Sequence, residues 1–363
     1  MGIQAATARA TKLAAIESEI NEEVYSLYGI SHADRVAIEA ELGTVTVLVA
    51  INADEEALAN TEPADDTAED DADIGDVCTR QHLAQRWISY ALGIVLGRFQ
   101  PGVDDAIGRG DVSPQTALAL AAAAAGDGIS VVDGRQPDHL ISRIAQVLEL
   151  LLGSAQAEQV VAEATAGRPL ADYLTRDFYK WHLQQYRKRP VYWLLQSPKR
   201  SYSLLVFHER LTRDSLYRIL GPDYLGGAIN GAQSLTDERR AALHAMPQGR
   251  ERKRLEGKLA EAMARLHDLE QFRRLITEVT TATNERGEVV GWQPQIDDGV
   301  LINMAPLHTL IPAWSAEPKK AWAALQRGEY DWSHTAMRYW PDRVRKACEN
   351  NKSYAIAHGL VTS

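Results

Sequence analysis

Apolar residues recur at three- and four-residue spacing through most of this chain, the signature of amphipathic helices. In residues 8–28, Leu13, Ile16, Ile20, Val24 and Leu27 form one stripe. Gly29 is a natural stop behind it, and Ser31 caps a second helix over 33–42. The stripe reads first as a core face and second as a docking face. Leu83, Trp87, Ala91, Ile94 and Val95 mark a helix over 80–98. Ser113-Pro114 opens another in cap-then-proline order, through the alanines of 117–125 to Gly126. Helices follow at 137–152 and 155–166. Residues 169–189 make an aromatic, basic helix, with Tyr173, Phe178, Tyr179, Trp181 and Tyr186 among Arg176, Lys180, Arg187, Lys188 and Arg189. Thr212 caps a helix to Leu220, Gly221–Gly231 reads as a turn-rich break, and Thr236 opens a helix with Asp237 and Glu238 in its first turn. The longest helix is 250–280, striped by Leu255, Leu259, Met263, Leu266, Leu269, Phe272 and Ile276. The tail from Pro318 to Leu360 is helical and aromatic.

Strand patterns are few. Val191–Gln196 and Tyr202–His208 are apolar, aromatic and β-branched runs around Ser197-Pro198-Lys199-Arg200-Ser201, which predicts a β-hairpin. Pro190 suits the first position of a strand. Shorter β-type runs lie at Thr44–Ile51 and Ile129–Val132, and Ile296–Asn303 predicts a turn and short strand. The expected fold is mainly α and multi-helical, with one β-hairpin and minor short strands.

Charge divides this pattern. The formal net charge is −10 over 363 residues. Residues 54–76 hold eleven Asp or Glu and no Lys or Arg, so they predict a disordered loop, with mimicry of nucleic acid a remoter reading. Residues 168–274 hold twenty-one Lys or Arg against twelve Asp or Glu, so a polyanionic partner is compatible with the low pI. The expected organisation is an N-terminal helical docking segment (1–52), the acidic insert (53–78), a helical domain (79–167), a basic helix, hairpin and long-helix section (168–312), and a helical aromatic C-terminal segment (313–363). No run is apolar and long enough to span a bilayer, and the first 30 residues show no signal peptide. Cys78 and Cys348 stand far apart, which favours neither a disulfide framework nor a cysteine-based zinc site. The expected address is the cytoplasm.

Catalytic patterns are missing. The chain has no H-E-x-x-H, C-x-x-C, G-x-S-x-G, P-loop or G-x-G-x-x-G. Glu256-Gly257-Lys258 matches an E-x-K fragment seen in nucleases, but residues two apart on a helix face different sides. Asp297-Asp298 before Gly299 reads as a turn former ahead of a cation site. His182, His208, His334 and His358 are scattered singly and read as core or surface residues. No catalytic or metal-ligating residue is expected.

Five ordered segments carry a family resemblance. Arg189-Pro-Val-Tyr-Trp-Leu194 with Leu205-Val-Phe-His-Glu-Arg210 resembles the C-terminal region of large adenine-specific DNA methyltransferases of phage-defence systems. These are the BREX, or phage-growth-limitation, methyltransferase and its relatives in DISARM and type IIG restriction-modification. Ile20–Gly29, Trp87–Phe99, Ile296–Asn303, and Tyr330–His334 with Ala355–Gly359 resemble further segments of the same enzymes in the same order. The resemblance covers nearly the whole chain except the acidic insert. Such enzymes carry a glycine-rich S-adenosylmethionine motif and an N-P-P-Y/F motif that grips the flipped adenine. Neither occurs here, so the resemblance implies the part downstream of the catalytic core: a fragment, a separate subunit or a degenerate copy. S-adenosylmethionine is then expected on the catalytic partner.

The resemblance and the charge together imply a module that holds double-stranded DNA beside a methyltransferase core or another defence-system subunit. Arg187, Lys188, Arg189, Lys199, Arg200 and Arg210 are the candidate phosphate contacts. Two other readings stay open: an interaction subunit docking through Leu13, Ile16, Ile20 and Val24, and, on the E-x-K fragment alone, a nuclease. Within the hairpin, a buried sheet with a solvated basic rim competes with a DNA-facing surface.

Overall fold

The computed structural model of the chain describes residues 2–36, 79–103, 112–132 and 139–361. The expected strand at 44–51, the acidic segment 54–76, the second half of the helix at 33–42, and Cys78 lie outside these residues. The chain divides into two compact units: residues 1–88 with 159–167, and residues 89–158 with 168–363.

In the first unit, the helix Gly2–Leu27 ends at Gly29, whose φ of 63° lets the Ile30 N–H reach back to the Tyr25 carbonyl at 2.9 Å. Ser31 accepts from the Asp34 amide at 3.3 Å, and residues 32–36 start a second helix behind it. Arg35 pairs with Glu22 at 2.7 Å. The apolar stripe of the first helix is not a core face: Ile16, Ile20 and Val24 are exposed, and Leu27 is 81 % exposed. The side chain of Leu13 lies outside the described set.

The second unit is built on a three-stranded antiparallel sheet in the order β1-β3-β2, with β1 Ile129–Val131, β2 Tyr192–Gln196 and β3 Ser203–Phe207. Register runs Tyr192↔Phe207 to Gln196↔Ser203, and Ile129↔Val206 to Val131↔Leu204. Every residue of the three strands is buried. That explains why the runs read as continuous apolar segments rather than alternating ones. The core reading of the hairpin holds for Val191, Trp193, Leu205 and Phe207.

The aromatic basic segment is helical over Leu170–Tyr173, widens to a π-turn at Leu174–Phe178 and continues as Tyr179–Gln185. Two expectations are corrected. Gly221–Gly231 is a break only over residues 221–224: the helix Leu225–Ala245 takes up the rest, with Thr236 buried at mid-helix rather than opening a helix, its hydroxyl donating to the Ala232 carbonyl. Ile296–Asn303 is not a strand: it is a 3-10 turn, Ile296–Asp298, followed by the helix Val300–Met304. There the Asn303 amide donates to the Gly299 and Gln295 carbonyls and its oxygen accepts from the Gln295 N–H, which winds the segment onto itself. The longest helix is Arg250–Thr280, antiparallel neighbour of Leu225–Ala245. A second core of Ile302, Leu325, Ala336 and Val344, with Trp322 and Trp340 against it, holds the C-terminal helices.

Candidate nucleic-acid interface

The hairpin turn is fastened to the long helix by one carboxylate. Asp268, 1 % exposed, accepts from the Ser197 and Ser201 hydroxyls, each at 2.6 Å, and from the Lys199 N–H at 2.7 Å and the Ser201 N–H at 3.3 Å. Ser197 in turn accepts from the Tyr202 N–H at 3.1 Å, and Arg265 donates to the Ser201 carbonyl at 3.0 Å. Burial alone raises the pKa of Asp268, but the four donated hydrogen bonds outweigh it and hold the group below the usual carboxylate value. A turn of four polar residues and a proline is thereby ordered, and its cationic side chains project from a fixed backbone.

Lys199 and Arg200 are exposed at that turn; Arg200 has φ 58° and donates to the Pro312 carbonyl at 3.3 Å. Arg187, Lys188 and Arg189 are exposed at the opposite, open end of the hairpin, where Arg187 and Lys188 both take left-handed φ values of 46° and 59°. The predicted contacts therefore form two groups rather than one, separated by the length of a five-residue strand, about 17 Å. Among the described residues none of these five side chains has an ion-pair partner. Arg210 differs. Its guanidinium donates to the Gly126 carbonyl at 3.1 Å and the Gly97 carbonyl at 3.0 Å, and a Cβ on Gly97 would sit 2.8 Å from it. Arg210 is a clamp that ties the strand end to two loops, with part of its donor set spent on the protein.

The open end is held by a histidine. His182, fully buried, accepts from the Val191 and Tyr192 N–H groups through Nε2, each at 3.1 Å, and stacks on Phe178 and Tyr192. That places the proton on Nδ1, which has no hydrogen-bond partner among the described residues. Burial, and then the charge of Arg98, lower its pKa to about 3, so the ring is neutral. Arg98 donates to the Tyr186 hydroxyl at 2.6 Å beside it. The aromatic residues near the basic cluster are thus structural supports, and the cations are what solvent sees.

A second basic region was not singled out by the sequence pattern. Residues 187–210 carry six Lys or Arg and one acid; residues 239–258, at the connected ends of the two long helices, carry seven and two. Arg252 caps the helix Leu225–Ala245 by donating to the Leu243 and Met246 carbonyls at 2.9 and 2.8 Å, and Arg239 donates to the Lys258 carbonyl. Arg250, Lys253, Arg254 and Lys258 are exposed and without an ion-pair partner among the described residues. The signal lay in the four-residue recurrence of Arg250, Arg254 and Lys258, hidden by the Glu residues interleaved with them.

The remaining candidates resolve into structural roles. Asp298, buried, accepts from the His334 and Thr335 N–H groups at 2.7 Å each and from the Thr335 hydroxyl at 2.6 Å, with His334 Nδ1 at 3.0 Å, so it anchors the start of the helix His334–Tyr339. Asp297 is exposed. His208 Nδ1 meets the Val191 carbonyl, and His358 Nε2 meets the Asp331 carbonyl at 2.7 Å. Glu256 is exposed and accepts from Arg252 at 3.2 Å. Cys348 is a buried free thiol. Among the described residues no group of three His, Cys, Asp or Glu is placed to hold a metal ion, and no helix is long and apolar enough to cross a membrane. No protein-family model matches this chain, and no curated protein sequence matches it.

Proposed function

We propose that this chain is a DNA-contacting helical module that works beside an adenine-specific, S-adenosylmethionine-dependent methyltransferase core in a phage-defence or restriction-modification setting in the cytoplasm. The methyl transfer belongs to the partner, because the chain has neither the cofactor motif nor N-P-P-Y/F. The observation that carries the reading is the set of five cations, Arg187, Lys188, Arg189, Lys199 and Arg200, exposed at the two ends of a buried strand pair and without ion-pair partners among the described residues. Cations held on a fixed backbone with no internal counter-charge suit phosphate contacts, which position a protein on a duplex without reading its sequence. Reversing two charges with Lys199→Glu and Arg200→Glu lowers the salt slope of duplex binding by about 2 and weakens binding about tenfold. Anisotropy titrations at several salt concentrations measure both quantities. An unaltered affinity removes the hairpin from the DNA surface.

One observation favours a second reading, a protein-interaction subunit. Ile16 and Val24, each 42 % exposed, and Ile20, 53 % exposed, form an apolar stripe on the first helix. A stripe of this kind suits a helix laid against a partner groove. Ile16→Asp with Ile20→Asp then abolishes co-purification of a methyltransferase polypeptide while leaving duplex binding intact. Retention of the methyltransferase by that variant excludes the docking role.

A further inference from the structure

The four-residue recurrence on the long helix has a direction, and the Asp268 clamp fixes it. An α-helix repeats about every 3.6 residues, so eighteen residues are about five whole turns. Arg250 and Asp268 are eighteen residues apart and therefore face the same way. Arg254 lies within about 40° of that direction, Arg265 within about 60° and Lys258 within about 80°. Leu255, Leu259 and Ala262, the half-buried or buried apolar positions between Arg250 and Ala262, fall on the other side, toward the antiparallel helix Leu225–Ala245. The face that carries Arg250, Arg254 and Lys258 is consequently the face that, further along, carries Asp268 and the hairpin turn with Lys199 and Arg200.

From these placements we infer that the exposed face of the helix Arg250–Thr280 and the hairpin turn form one continuous cationic track for a nucleic-acid duplex. The inference rests on the DNA-contacting reading and sharpens it. The duplex lies along the long helix, from Lys199 and Arg200 outward past Lys258 and Arg254 to Arg250. At about 1.5 Å per residue the track is about 27 Å long. A duplex rises about 3.4 Å per base pair along its axis, so the track spans the axial length of about eight base pairs. Arg265, which donates to the Ser201 carbonyl, is the joint between the two parts. Asp268 is buried under the turn, so Glu261 is the one exposed acidic side chain within this stripe; it has no ion-pair partner among the described residues. A lone carboxylate on such a track repels phosphate, which gives the inference a test that misfolding cannot imitate.

The experiment is an anisotropy titration of the full chain with a fluorescent 30-base-pair DNA duplex at several salt concentrations. Replacing Arg250, Arg254 and Lys258 together by Ala reduces the salt slope by about 2.7, three contacts' worth, and weakens binding at least tenfold. Glu261→Gln tightens binding. If the triple variant binds like wild type while Lys199→Ala with Arg200→Ala weakens binding, the track is overturned and the DNA-contacting reading stands. If the triple variant weakens binding and the hairpin pair does not, the continuity through the turn is overturned. If the wild-type chain binds no duplex, both fall together.

Discussion

His182 illustrates how a single neutral ring sets a pH limit on the molecule. Its folded pKa of about 3 lies below the unfolded value of about 6.5. Between these values the unfolded chain holds the extra proton, so stability is intact above about pH 6.5 and falls as the pH drops toward 3. The slope from this group is at most about 1.4 kcal/mol per pH unit. Urea unfolding at pH 7 and pH 5 measures it. His182→Gln keeps an acceptor for the Val191 and Tyr192 amides and removes the titration, so its stability difference between the two pH values is smaller than that of wild type by about 2 kcal/mol. An equal difference in both proteins means that His182 is not the group that titrates. Asp268 works in the same sense at lower pH. Its folded pKa is depressed, so its contribution is present above the unfolded carboxylate value and lost as the pH falls through the folded one. None of this was legible in the sequence. A histidine and an aspartate on helices look alike whether they face water or the amides of a strand, and only the tertiary pairing of residues 71 positions apart shows that Asp268 belongs to the turn.

At the scale of elements, glycine was the least legible residue. Gly226 and Gly227 looked like helix breakers, yet they allow the helix Leu225–Ala245 to start hard against the preceding turn. A Cβ on Gly227 would lie 2.1 Å from the Pro222 carbonyl oxygen, and one on Gly226 2.7 Å from that of Gly221. Backbone cannot yield as a side chain does, so Gly227→Ala costs about 1–3 kcal/mol. Gly231, on the same helix with open space around it, gains about 0.5–1 kcal/mol as Ala. Thermal unfolding of the two variants shows shifts of opposite sign; two shifts of the same sign contradict this account. Long periodic stretches such as 250–280 and the hairpin runs were legible because their pattern and their burial agree. Val300-Leu-Ile was not, because β-branched propensity lost to the local hydrogen bonds of Asn303. The basic face of the long helix was obscured for another reason: summing charge over a window hides which side of a helix the charge is on.

At the scale of the whole molecule, the net charge of −10 conceals two basic regions, at 187–210 and 239–258, within one compact unit. The sheet of that unit has a consequence for how the unit is made. β2 and β3 are joined by a short turn, with Gln196 opposite Ser203, whereas β1 meets β3 through Ile129 and Val206, seventy-seven residues apart. Closing the larger loop costs more chain entropy, so the hairpin forms before β1 joins it. In pulse-labelled hydrogen exchange during refolding, the Ser197 and His208 amides, which bond within the hairpin, gain protection ahead of the Val132 and Phe207 amides, which bond across to the β1 side. Simultaneous protection of all four rules out this order. The central strand is thus a template that exists before its third partner arrives. Until then its free edge, Ser203–Phe207, is an unpaired ribbon that is apolar at every position but Ser203. During synthesis β1 leaves the ribosome first and waits for the hairpin, which shortens the time that this edge stays open to another chain.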